Sequence, residues 1–161
     1  MSKRASHFSH LALTLALALG AAAGAASCKK SGGGSTVPVS LAGLGVTAQA
    51  PEGSTADKAI IGPGMTITGP DLMATVQAAD KNSPKTLAEA KEKNSLYSPQ
   101  AVKEETLPDG WALSFTNKGG MGTNYWVQVR RDIGGKAIMC ETTANSAEQQ
   151  TNALAVCKSL K

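Results

Sequence analysis

The chain has 161 residues, with 16 basic groups against 12 acidic ones and a net charge of +4. Lys3, Arg4, Lys29 and Lys30 account for that excess, so the rest of the chain is balanced and has no basic block of the kind that binds nucleic acid. Both histidines, His7 and His10, lie near the N-terminus. Their removal on maturation would exclude Ser-His-Asp and Cys-His catalysis and would take away the commonest metal ligand.

The N-terminal segment is read as a signal peptide over residues 1–27. Lys3 and Arg4 are followed by the apolar run Leu11–Leu19 and then by small residues from Gly20 to Ser27. The run is well short of the ~20 apolar residues that span a membrane, although an uncleaved N-terminal anchor is the competing reading. Ala25-Ala26-Ser27-Cys28 resembles the lipobox of bacterial lipoproteins, with Ala25 at the position where that family prefers Leu. The resemblance implies a diacylglyceryl group on the Cys28 sulfur, cleavage before Cys28 and acylation of the new amine. Lys29 is not the Asp that retains such proteins at the inner membrane, so the implied address is the outer membrane, on its periplasmic or surface face. The alternative is ordinary cleavage in the alanine-rich zone, giving a soluble exported protein with a free Cys28 thiol. Residues 28–40 read as the lipidated cysteine and a Lys/Gly/Ser tether. Lys29–Pro38 would span about 17–19 Å as a random coil.

Residues 41–161 are read as one domain. Val39–Ala50 is expected to be a strand ending at the turn Pro51-Glu52-Gly53-Ser54. Lys58–Ile61, Met65–Thr68 and Leu72–Ala78 are further strand candidates, separated by Gly-Pro breaks. Thr86-Leu87-Ala88-Glu89 is a capping box, which predicts a helix over about Leu87–Ser95. Val102–Leu107, Trp111–Asn117, Tyr125–Arg131 and Lys136–Thr142 then read as strands. In the first of the alternating pairs, Trp111, Leu113 and Phe115 share a face. In the second, Tyr125, Val127 and Val129 share one face and Trp126, Gln128 and Arg130 the other. The glycine-rich stretch Gly119–Gly122 is followed by a strand and reads as a hairpin loop, because a phosphate loop needs a helix there. Ser146 and Gln149 form a second capping box, opening a helix over about Ala147–Leu160. Its stripe of Ala153, Val156, Cys157 and Leu160 should lie on the sheet.

The order of elements is α+β with an antiparallel sheet packed by one central and one C-terminal helix. Pro51-Glu52-Gly53, the Asp109-Gly110-Trp111 strand entry and the late cysteine pair resemble the Mog1/PsbP-like fold, whose members are mostly binding or assembly factors. In an oxidising compartment Cys140 and Cys157 are expected to form a disulfide. A redox pair or a metal site would call for a CxxC or a third ligand, and neither is present. Glu104 and Glu105 are adjacent and would point to opposite faces of a strand, so they do not make a facing carboxylate pair.

No enzyme or cofactor motif is read. The function expected is a membrane-anchored, non-catalytic binding or envelope-organising domain. The rival is a soluble periplasmic or secreted protein, including a hydrolase working without histidine. The surface expected to meet an envelope partner is Trp126, Gln128 and Arg130, bordered by Asn124 and Arg131, because half-exposed Trp beside Arg is an anchor composition. The competing reading is that a helix covers Trp126 and makes it core.

Overall fold

The structure, a computed structural model, describes residues 35–161. Cys28 and the signal peptide lie outside the described residues. The first element is a hairpin of β1 (Thr36–Leu41) and β2 (Val46–Pro51), paired antiparallel from Thr36–Pro51 to Leu41–Val46. This corrects the single strand expected over Val39–Ala50: Gly45, at φ +73°, turns the chain in its middle. Residues 36–40, read as the end of the tether, are the greater part of β1.

The strands β3 (Thr55–Lys58), β4 (Met65–Gly69), β5 (Leu72–Ala78), β6 (Gln100–Leu107), β7 (Gly110–Gly119), β8 (Gly122–Ile133) and β9 (Lys136–Ala144) form one seven-stranded antiparallel sheet. Its order is β3-β4-β5-β9-β8-β7-β6. Two meanders therefore meet where β5 pairs with β9, in register Val76–Cys140. The strand expected over Lys58–Ile61 ends at Lys58, where β3 pairs with Met65 of β4. Ile60 and Ile61 belong instead to a loop closed by the bond from the Ala59 amide to the Gly64 carbonyl, 3.1 Å. Gly64 seats that loop on β5: a Cβ there would run into the Val76 carbonyl. Between β6 and β7 the tight Asp109-Gly110 turn presses on β8, and a Cβ at Gly110 would meet the Arg130 carbonyl.

Helix α1 (Leu87–Asn94) and helix α2 (Ala147–Lys158) start as the capping boxes predict. Thr86 Oγ1 accepts from the Glu89 amide at 3.2 Å, and Ser146 Oγ from the Gln149 amide at 3.1 Å. The reciprocal bonds reach one residue further upstream than the standard box. Glu89 Oε2 accepts from the Lys85 amide at 2.7 Å, and Gln149 Oε1 from the Asn145 amide at 3.0 Å.

The helices cover opposite faces of the sheet. On one face α2 and the β1–β2 hairpin enclose the larger core: Ile67, Ala74, Val76, Val127, Val129 and Ile138 meet Ala153, Val156 and Leu160. Cys140 and Cys157, both fully buried, are joined there by a disulfide with Cα atoms 5.5 Å apart. Lys161 then bonds back to β2, its amide to the Thr47 carbonyl at 3.0 Å and its carbonyl to the Thr47 amide at 2.9 Å. On the other face α1 packs Ala90 and Leu87 over Trp111, Leu113, Phe115 and Met139. Glu104 and Glu105 do point to opposite faces, one paired with Lys91 of α1 at 2.8 Å and the other with Lys158 of α2 at 2.7 Å.

The disulfide closes the loop 140–157, and chain-entropy models give about 3 kcal/mol for a loop of that size. Replacing both cysteines by alanine should lower the unfolding free energy by about that amount and the denaturant midpoint with it, read by chemical unfolding under non-reducing conditions. An unchanged midpoint would show that the helix is held by packing and the C-terminal bonds alone.

Candidate functional site

Strand β8 decides which side chains reach which face. Val127 and Val129 enter the α2 core, so Trp126, Gln128 and Arg130 stand on the α1 face. There α1 covers β7 and its neighbours but leaves the middle of the sheet open. The open part is a groove of ≈ 540 Å³. Its floor is built from three adjacent strands: Thr75 and Gln77 of β5, Glu141 and Thr143 of β9, and Trp126 and Gln128 of β8. Glu141 lies directly opposite Thr75 on one side and Gln128 on the other. Its rim is apolar and exposed, with Ile61 at 89%, Met73 at 57% and Tyr97 at 39% of full accessibility.

Trp126 is the ring common to two stacked pairs. Phe115 stacks with it at 5.7 Å between centroids and 8° between planes, and Tyr97 at 4.8 Å and 23°. The indole Nε1–H donates to Asn117 Oδ1 at 2.8 Å. Stacking on Phe115 ties the groove wall to the smaller core, so Trp126 serves both. Tyr97 comes from the 3₁₀ turn Ser95–Tyr97 that follows α1, and Ser98, at φ +50°, ends that turn. Gln128 Oε1 accepts from Asn94 Nδ2 at 2.8 Å, and the same Asn94 group donates to the Ala90 carbonyl at 2.7 Å. The buried Asn94 thus holds the end of α1 to the groove floor, leaving the Gln128 Nε2 group without a protein acceptor among the described residues.

Glu141 is the one charged side chain lining the groove. Its single hydrogen bond is from Gln77 Nε2, long at 3.4 Å, and no lysine or arginine pairs with it among the described residues. Burial in the sheet, and then the negative charge of Asp80, push its carboxyl above the ordinary glutamate value.

The other residues expected at this surface go elsewhere. Arg130 turns away from the groove, with Nη1 on the Pro84 carbonyl at 3.4 Å and Nη2 on Asp132 at 3.4 Å. Arg131 is on the opposite face, gripping Asp109 through Nε at 2.7 Å and Nη2 at 2.8 Å and reaching the Lys158 carbonyl through Nη1. That bidentate bond holds the Asp109 carboxyl below its usual range. Asn124 bonds Asn117 at 3.2 Å, alongside the Trp126 indole. Sequence reasoning did not single out Glu141, Tyr97, Gln77, Thr75, Ile61 or Met73. A signal existed for Glu141: it shares its face of β9 with buried Met139, so it is an acid in a strand apolar on both sides.

This arrangement is suited to binding. It combines an aromatic wall, amide and hydroxyl groups, one desolvated carboxylate and an apolar rim. No group of three potential metal ligands is present among the described residues. No protein-family model and no curated protein matches this chain.

Glu141 should cost stability. Its folded pKa is raised, so folding takes up a proton, and stability falls as pH rises from about 4.5 through the folded value. Above that value the penalty is fully present. Glu141→Gln should therefore raise Tm by a few degrees at pH 7 and leave it nearly unchanged at pH 4, by calorimetry. A lower Tm at pH 7 would mean that the carboxylate is satisfied in the folded state.

Proposed function

We propose that this chain is an exported bacterial lipoprotein, anchored through acylated Cys28, whose domain is a non-catalytic binding module of the cell envelope. The observation that supports binding most directly is the groove: a half-buried aromatic stack beside an unpaired carboxylate, with exposed Ile61 and Met73 at the rim. Such features cost stability and solubility, and proteins retain them where a ligand covers them. The outer membrane is the proposed address, from Lys29 next to Cys28. The proposed fold family is Mog1/PsbP-like, supported by the Asp109-Gly110 entry to β7 and by the disulfide that joins a central strand to the last helix. With β1 starting at Thr36, the domain begins sooner after Cys28 than a tether to residue 40 would allow.

The test is an intact mass under non-reducing conditions, taken on protein from its native membrane fraction beside a Cys28→Ser variant. The expected mass begins at Cys28, carries acyl chains and is two hydrogens light for the disulfide. The variant should be unlipidated and released from the membrane. An unlipidated wild-type mass would overturn the anchor and make this a soluble exported protein, the reading that Ala25 favours. Turnover of generic ester or peptide substrates, abolished by Glu141→Gln, would overturn the non-catalytic reading.

A further inference from the structure

The groove has a charge as well as a shape. Among its described lining residues there is no lysine or arginine, although basic residues match acidic ones across the domain. Glu141 supplies the one formal charge among the described lining residues. Tyr97, stacked on Trp126 and 39% exposed, adds the negative face of an aromatic ring. Trp126 and Glu141 are diagonal neighbours on one face of paired strands, since Trp126 faces Thr143 and Gln128 faces Glu141. That places them about 7–8 Å apart at the backbone, a gap that one small charged group bridges.

A neutral sugar is less well served by this wall. Trp126, the larger platform, is already stacked with two rings, Phe115 and Tyr97. Only Tyr97 is left for stacking, and an unpaired carboxylate gains less from a hydroxyl than from a cation. An anion would meet Glu141 with no lysine or arginine among the groove's described lining residues to offset it. The apolar rim, Ile61 and Met73, suits an alkyl stem leading away from the charge.

We propose that the groove binds a small organic ammonium, its cationic head between Glu141 and the exposed Tyr97 ring and its apolar stem along Ile61 and Met73. This rests on the binding reading above and names the ligand class for that site. Gln77 flanks the carboxylate and would accept from the head group through its side-chain oxygen, while Gln128 keeps its bond to Asn94.

The experiment is an NMR titration of ¹⁵N-labelled protein expressed from the full chain, with n-hexylammonium as probe and n-hexanol and N,N′-diacetylchitobiose as controls. Hexylammonium should move the Trp126 indole and Gln128 side-chain signals saturably, with affinity at least tenfold above that for hexanol. Glu141→Gln should remove that preference while the spectrum stays dispersed and Tm is not lowered. Tyr97→Ala should weaken hexylammonium binding as well. Equal binding of hexanol, a preference that survives Glu141→Gln, or binding of the disaccharide in place of the amine would overturn the cation assignment and leave the groove a binding site. Signals that move with none of the three probes would overturn both.

Discussion

A wide sheet must be covered on both faces, and here the two covers differ in size. Seven strands set the edge strands about 28–29 Å apart. On one face α2, the β1–β2 hairpin and the C-terminal residues extend over the central strands and close the larger core. On the other face the cover is α1, eight residues and hence about 12 Å long. A helix of that size shields two or three strands. The groove over β5, β9 and β8 is what remains, and its position follows from where α1 sits and not from any special local sequence.

The constraint reaches into composition. The central strands carry apolar residues on both faces where both are covered: Val129 and Cys140 toward α2, Leu113 and Met139 toward α1. Where cover ends, the same strands change to Gln128, Glu141, Thr143 and Thr75. Asn94 and Gln128 mark the boundary, a satisfied polar contact that stops α1 from sliding over the open floor. The rigid α2 side, locked by Cys140–Cys157, makes this economical. Hydrophobic burial and the disulfide are concentrated on one face, which frees the other to hold a desolvated carboxylate and an exposed rim.

Much of this fold is legible in the sequence because it depends on local signals. The alternation through Trp111–Asn117 and Tyr125–Arg131, both capping boxes and the α2 stripe are patterns that near neighbours enforce, and the structure follows them. The hairpin at 36–51 was hidden because Ala42-Gly43-Leu44-Gly45 keeps an apolar rhythm while Gly45 reverses the chain. Ile60 and Ile61 read as strand residues on β-branching alone, yet the Gly62-Pro63-Gly64 loop lifts them out of pairing. The groove is of another kind. Alternation reveals that Trp126 and Gln128 share a face, but the extent of the helical cover is a long-range property. So Tyr97, brought over Trp126 by the turn after α1, could not be placed from sequence, and Arg130 was grouped with them although it folds back on Pro84 and Asp132.

The central claim is the unequal cover, and solvent access to side-chain methyl groups tests it most directly. A soluble nitroxide added to methyl-labelled protein should broaden the Met73, Thr75 and Thr143 signals strongly and leave Ala74, Val76 and Val129 sharp. Adjacent residues of one strand, β5, would then report opposite faces, one open and one closed. Equal protection of Thr75 and Val76 would contradict the account, since the α1 face would then be as fully covered as the α2 face and the groove would not exist in solution.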